Sequence, residues 1–211
     1  MQSSDIDSLL EQRSLLDKLR KHARLKKIPV IGINTGYFLQ LAIMLLKPVN
    51  VLEIGCGNGF SSYFILKGLE KRARYTGIDM NEERLHDARA FAGAKYPGYR
   101  HEFFCGNALK IIPDLDSIFD LVFIDAAKFE YPLYLRALKN KIKKGTVIIA
   151  DDIFCKGRFF CSSPDKHFKN SVEGIKIYLR SVCTENGFDT SIIDVDDGLS
   201  VSIYRGEEEI E

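Results

Sequence analysis

Residues 51–61 read Val51-Leu52-Glu53-Ile54-Gly55-Cys56-Gly57-Asn58-Gly59-Phe60-Ser61. A short apolar run ends in an acid, and three glycines then alternate before a helical pattern opens. A glycine has no Cβ, so the backbone there can turn sharply and approach a ligand closely. The stretch predicts a first β-strand with a nucleotide-like cofactor over its carboxyl end. The spacing is Gly-x-Gly-x-Gly, not the Gly-x-Gly-x-x-Gly that brings a helix N-terminus against a pyrophosphate. Glu53 is also awkward beside a diphosphate and better matched to a cationic ligand. Taken alone, the stretch also fits a plain tight turn with a solvated acid.

Working outward, strand-like segments at 49–54, 73–78, 100–105, 119–124 and 145–150 alternate with helix-like ones at 59–70, 81–95, 107–112 and 128–142. Leu121-Val122-Phe123-Ile124 and Val147-Ile148-Ile149-Ala150 are continuous apolar runs, the mark of parallel strands covered on both faces. Two helices precede the alternation. One covers 5–27, with Ile6, Leu9, Leu10, Leu16, Leu19 and Ala23 at helical spacing; the other covers 35–46 and stops before Pro48. After a helix at 168–186, Ile192–Val195 and Leu199–Tyr204 flank Asp196-Asp197-Gly198, a hairpin signal. The pattern predicts an α/β, doubly wound, seven-stranded sheet closed by an antiparallel terminal hairpin. The whole chain, 1–211, reads as one domain, with N-terminal helices over 1–46 and a Rossmann-like core over 47–205.

The bulk properties narrow the partners. Thirty basic against twenty-nine acidic side chains leave a formal charge of +1, so no global field calls for a polyanion. Five scattered cysteines with no Cys-x-x-Cys pair argue against a zinc ribbon or disulfide framework and fit a reducing cytoplasm. There is no apolar signal core at the N-terminus and no run of membrane length. A cytoplasmic protein without membrane contact is expected.

Asp79 ends the second strand and can accept hydrogen bonds from both hydroxyls of a ribose. Together with the glycine turn it fits NAD as readily as S-adenosylmethionine. A second set of acids decides more. Asp125 follows the fourth strand and Asp151-Asp152 follow the fifth, so all three emerge at one sheet edge. Clustered carboxylates repel unless a cation lies among them, and a hard divalent ion such as Mg²⁺ suits oxygen ligands. The blander reading makes Asp152 a helix cap and Asp151 a loop acid. Lys128, three residues after Asp125, starts the next helix on the pocket side. Desolvation there would lower its pKa enough to accept a proton; an exposed helix-start lysine is the alternative.

At these residues the chain resembles the metal-dependent O-methyltransferases related to the catechol and caffeoyl-CoA enzymes, which have the class I methyltransferase fold. The resemblance runs from Ile28 to Tyr204. It is carried by Leu52-Glu53-Ile54-Gly55, Ile78-Asp79, Gly106-Asn107-Ala108, the run Phe119 to Lys128, the run Lys144 to Asp152, and Asp197-Gly198-Leu199. It implies an S-adenosylmethionine site at Glu53, Gly55, Gly57, Ser61, Asp79, Asn107, Ala108 and Asp125, with Asp79 on the ribose. It implies metal ligation by Asp125, Asp151 and Asp152, and catalysis by Lys128, as base, with Asp125. The third ligand is usually Asn and here is Asp152, which adds negative charge. The turn residues Cys56 and Asn58 follow the general class I pattern more than the family's usual Gly-x-x-x-Gly-Tyr-Ser. A homodimer is also implied.

The acceptor implied is a small catechol-like hydroxylated aromatic. Some bacterial members instead methylate 5-hydroxyuridine in tRNA, and Ile28-Pro29-Val30 and the Ile124 to Lys128 block look most like bacterial members. Basic residues at 18–27 and at 139–144 could grip phosphates, though such runs are more often solvated helix faces. Residues 154–168, with Phe154, Arg158, Phe159, Phe160, Lys166, His167 and Phe168, are expected to form a loop over the acceptor pocket. A non-catalytic S-adenosylmethionine- or nucleotide-binding module is the reading from another class, but the complete set of acids and lysine weighs against it.

Overall fold

A computed structural model describes residues 3–161, 165–184 and 187–206; of residues 3–13 only the backbone is described. Ile6, Leu9 and Leu10 of the first expected helix therefore lie among side chains outside the description, as do residues 162–164 of the expected acceptor loop and 185–186 of the last helix.

The chain runs α1 (Ser3–Leu25), α2 (Ile33–Leu46), β1 (Asn50–Ile54), α3 (Phe60–Gly68), β2 (Arg74–Asp79), α4 (Glu82–Lys95), β3 (Arg100–Cys105), α5 (Ala108–Asp114), β4 (Phe119–Ile124), α6 (Tyr131–Ala137), β5 (Ile142–Ala150), α7 (Lys166–Cys183), β6 (Phe188–Ile193) and β7 (Leu199–Tyr204). The seven strands form one sheet in the order β3-β2-β1-β4-β5-β7-β6. β1 to β5 are parallel, and β7 runs antiparallel to both β5 and β6. The order reverses between β1 and β4, where the chain leaves the sheet to opposite sides and opens a crevice at the carboxyl ends.

The hydrophobic pattern explains the layers. In β1 the side chains alternate, so Val51 joins the core under α2 and α3 while Leu52 and Ile54 join the core under α5, α6 and α7. β4 is buried along nearly its whole length, as a central strand must be, whereas the edge strand β3 alternates between half-buried and exposed residues. α7 turns Val172, Ile175, Tyr178 and Val182 inward and leaves its other face to solvent.

Three elements differ from the sequence reading. The helix expected over 128–142 is a 3-10 turn at Lys128–Glu130 followed by a seven-residue α6, and β5 begins at Ile142 rather than 145. Pro132 has no backbone N–H and so suits the first turn of a helix far better than its interior, which separates the 3-10 turn from α6. The strand before the hairpin is Phe188–Ile193, not 192–195. Its polar Asp189, Thr190 and Ser191 hid it; an edge strand has one neighbour and tolerates them. The Asp-Gly signal lies in a five-residue connection, since Ile193 pairs with Leu199.

Candidate active site

The crevice holds a cleft of ≈ 350 Å³ bounded by the carboxyl ends of β1, β2 and β4 and by the turns that follow them. Gly55, Gly57, Asp79, Asn107, Ala108, Asp125, Lys128 and Asp152 all line it. These residues are up to 97 positions apart in the chain, and parallel strand order brings them to one edge.

The glycine turn is built as its sequence demands. Gly55, Gly57 and Gly59 have φ of +94°, +53° and +87°, a region that side chains disfavour. A Cβ on Gly55 would also collide with the Asp125 carbonyl oxygen, so the turn and the β4 end can meet only with glycine there. The Gly57 N–H donates to Asp79 Oδ2 at 2.9 Å, and the Asn81 N–H to Asp79 Oδ1 at 2.9 Å. Asp79 is thus fixed at the cleft wall by backbone donors. Asn107 caps α5 by accepting from the Leu109 N–H at 2.8 Å.

Three of the expected residues stand away from the wall. Glu53 points to the α3 side of the sheet, fully buried, and accepts from Ser62 Oγ at 2.8 Å and from the Tyr75 hydroxyl. Burial pushes its carboxyl up to about 7, against the opposing hydrogen bonds of its hydroxyl neighbours. Ser61 is buried on the same side at the start of α3. Asp151 is also buried, and neither carboxylate oxygen has a hydrogen-bond partner. Burial raises it to about 8, with Asp125 and Asp152 adding repulsion.

Lys128 sits between the remaining acids, with Nζ 2.8 Å from Asp125 Oδ1 and 3.1 Å from Asp152 Oδ2. Burial alone would favour the neutral amine, but Tyr131, Asp125 and Asp152 outweigh it and hold the pKa above the ordinary lysine value. This corrects the lowered value expected from sequence: desolvation acts as foreseen, but the paired carboxylates prevail. α7 presses the 3-10 turn into place, since a Cβ on Gly174 would meet Phe129 Cα at 2.5 Å and the Lys128 carbonyl at 2.6 Å. The Tyr131 hydroxyl donates to the carbonyls of Ile124 at 3.2 Å and Asp151 at 3.1 Å, tying α6 to both strand ends.

Among the described residues, no three His, Cys, Asp or Glu side chains stand together as a ready metal cage. The donor chemistry nonetheless fits a hard cation: three carboxylates at one sheet edge, one of them buried with both oxygens unpartnered.

Sequence reasoning missed Met80, Arg84, Glu130 and Tyr134, which also line the cleft. Tyr134 donates to Glu130 at 2.5 Å. They come from the turns and helices that follow the strands, where no spacing rule marks them. The loop between β6 and β7 reaches the segments on two flanks of the cleft. Asp196 accepts from the Thr35 N–H at 2.7 Å, capping α2 next to the cleft-lining Pro29 and Val30. Asp197 accepts from the Lys156 N–H at 2.7 Å, bracing the turn after Asp152.

Of the basic runs, Lys139 to Lys144 precede or begin β5 at the sheet edge opposite the cleft, and Lys143 pairs with Asp120 at 2.7 Å. In the run at 18–27, Lys26 pairs with Glu83 and Asp87, at 2.9 and 3.0 Å. These contacts favour the solvated-face reading for both.

A parallel sheet with a switch-point cleft, a glycine turn and an acid on the second strand defines an α/β nucleotide-type enzyme site. A sequence model of the family described as O-methyltransferase matches residues 3–204, and the chain belongs to that family, whose members draw their methyl group from S-adenosylmethionine. It is similar to a catechol O-methyltransferase of Niastella koreensis, 26% identical over 191 residues and 84% of each chain. It is also similar to a catechol O-methyltransferase of Mycobacterium tuberculosis, 28% identical over 169 residues, covering 76% of this chain and 77% of the relative. Among solved structures, an O-methyltransferase from Bacillus cereus in complex with SAH superposes with a TM-score of 0.81 at 25% identity, over 90% of each chain. An O-methyltransferase of tomaymycin synthesis from Streptomyces achromogenes shares the fold, with a TM-score of 0.81 at 24% identity over 90% of this chain and 89% of that one.

Proposed function

We propose that this chain, as one catalytic domain, transfers the methyl group of S-adenosylmethionine to a hydroxyl of a small catechol-like acceptor, with Mg²⁺ or a similar ion held at Asp125, Asp151 and Asp152. The observation that carries the reading is the single cleft in which the glycine turn and Asp79 face Asp125, Asp152 and Lys128. The relatives named catechol O-methyltransferase support the acceptor class.

The chain's own residues suit that chemistry. Gly55 and Gly57 offer close backbone approach and Asp79 a ribose acceptor, while Asn107 and Ala108 close the nucleoside end. Glu53 and Ser61 are buried on the α3 side of the sheet rather than lining the cleft, so they stand behind the donor site instead of facing it. The bound metal would lower the pKa of a chelated hydroxyl and hold it in line with the methyl group. With the metal drawing Asp125 and Asp152 off its ammonium, Lys128 would first give up its own proton to solvent and then, as the neutral amine, take the hydroxyl proton; kept as the ammonium it would stabilise the oxyanion. Positioning then supplies most of the acceleration, because the donor is already activated.

A second acceptor, 5-hydroxyuridine in tRNA, is favoured by the face after Asp152. There Phe160 is 69% exposed and Arg158 stacks 3.8 Å above Phe168, a basic and aromatic surface of the kind that holds bases. Among the described residues no helix is long and apolar enough to cross a membrane, and all five cysteines are free, in keeping with a cytoplasmic enzyme.

The test offers labelled S-adenosylmethionine with catechols and, separately, with tRNA containing unmethylated 5-hydroxyuridine, each with and without EDTA. Transfer to a catechol that EDTA and Asp151→Ala both abolish is expected. Transfer indifferent to both overturns the metal role, and transfer to tRNA alone replaces the acceptor.

A further inference from the structure

We propose that Asp197 is a positioning residue: through the backbone of the segment after β5 it sets where Asp152 stands, and so how tightly the site holds a divalent ion. It rests on that ion lying at Asp125, Asp151 and Asp152, as under the proposed function, and adds a residue outside the cleft. Asp197-Gly198-Leu199 is among the blocks by which the chain resembles its family, and neither Asp197 nor Gly198 lines the cleft. Their contacts run to the segment that follows Asp152. The Lys156 N–H donates to both Asp197 carboxylate oxygens, at 2.9 and 2.7 Å. The Phe154 N–H donates to the Asp197 carbonyl at 3.0 Å, and the Ile153 N–H to the Gly198 carbonyl at 3.2 Å. The remaining amide, Cys155, donates back to the Asp152 carbonyl at 3.1 Å. Every other amide from 153 to 156 therefore ends on two residues of the turn between β6 and β7.

That segment needs an outside hold. Asp152, Cys155 and Lys156 have φ of +55°, +51° and +56°, a region that side chains disfavour. Non-glycine residues stay there only where their surroundings impose it. Gly198 is part of what imposes it: its φ is +82°, and a Cβ there would meet the Phe154 ring at 2.6 Å. Asp152 opens the strained run, and its Oδ2 lies 3.1 Å from Lys128 Nζ at the cleft wall. A carboxylate that shares an ion with two others tolerates little displacement, since ligand distances hold to within about 0.2 Å. The partners that orient a ligand therefore tune affinity as the ligand itself does. Asp196, one residue earlier, turns to the other flank and accepts from the Thr35 N–H at 2.7 Å and Asn34 Nδ2 at 3.2 Å. It braces the start of α2 rather than residues 153–156, so it serves as a control within the same turn.

Calorimetric titration of Mn²⁺ into the full chain saturated with S-adenosylhomocysteine tests this with no acceptor present. Asp197→Ala is expected to weaken Mn²⁺ binding by about 10- to 100-fold, with S-adenosylhomocysteine affinity unchanged. Asp197→Asn loses the charge but keeps an oxygen for the Lys156 amide, so its Mn²⁺ affinity should stay near the wild type's. Asp196→Ala should leave Mn²⁺ affinity unchanged. If the alanine chain does not fold, Asp197→Glu takes its place: the charge stays, the carboxylate moves by one methylene, and weaker Mn²⁺ binding is again expected. Wild-type affinity in Asp197→Ala, or in Asp197→Glu where that replaces it, overturns the proposal. Equal losses in Asp197→Ala and Asp197→Asn overturn it too, by reducing the effect to charge. So does an equal loss in Asp196→Ala, which would make the turn a general support of the fold. A wild type that binds no Mn²⁺ fails in a different place: it removes the metal from the proposed function, and the role of Asp197 with it.

Discussion

Glu53 occupies the fourth position of β1, and strand alternation sends it to the α3 face together with Val51 rather than into the cleft with its neighbours in the glycine turn. The placement sets a pH dependence. Its carboxyl, pushed up to about 7 when folded from an ordinary value of 4.5, keeps its proton in the native state while the unfolded chain loses it. Stability therefore falls as pH rises through that window, by at most about 3 kcal/mol from this group, and levels off above it. Glu53→Gln should flatten that part of the profile; urea melts at pH 5 and pH 8 check it, and an unchanged slope sinks the idea. Lys128 makes a second case at this scale. Replacing it with Met should lower turnover by about 10² to 10⁴-fold, with S-adenosylmethionine affinity shifting far less. Equal losses in both, measured by kinetics and calorimetry, would assign Lys128 to donor binding instead.

Among the elements, the pairing of α7 with the 3-10 turn controls where Lys128 stands. Gly174 is the contact point, and a methyl group there must displace backbone rather than a flexible side chain. Gly174→Ala should destabilise the fold by about 1–3 kcal/mol, as overpacking does, and should lower turnover by moving Lys128 off its two acids. A thermal melt with a turnover measurement checks this, and an unperturbed melt would mean that α7 can slide. The local elements were legible in the sequence to differing degrees. β4 and the buried carboxyl half of β5 read correctly because buried parallel strands are continuous apolar runs, whereas the polar start of β5 at 142–144 did not. β6 did not, because Asp189, Thr190 and Ser191 erase the period that marks a strand, and pairing with β7 supplies what the pattern lacks. The extent of α6 was hidden for a different reason. Pro132 permits either a helix start or a break, and only packing against α7 and α5 chooses.

For the whole molecule, the cleft is the junction of the two halves of the sheet, so a ligand that spans it links β1 and β2 to β4. S-adenosylmethionine at a hundred times its dissociation constant should stabilise the protein by about 2.7 kcal/mol and raise the melting temperature by roughly 5–10 °C. Gly55→Ala, which would drive a methyl group into the Asp125 carbonyl, should abolish that rise. A variant that kept it would show that the donor does not sit on the turn.

The glycine turn, Asp79 and the acids after β4 and β5 were determined by sequence alone, because each depends on local rules: where φ must be positive, where an apolar run ends, and what chain order a parallel sheet requires. The stretch from Val51 to Ser61 opened the fold reading, and the alternation of strand-like and helix-like runs with the terminal hairpin signal completed it. Tertiary structure decided which of these groups share a wall. It turned Glu53 and Ser61 behind the sheet, buried Asp151 without a partner, and set Lys128 as an ammonium between two carboxylates. Those outcomes depend on burial and on charges brought together from distant parts of the chain, and neither quantity is a property of any local run of residues.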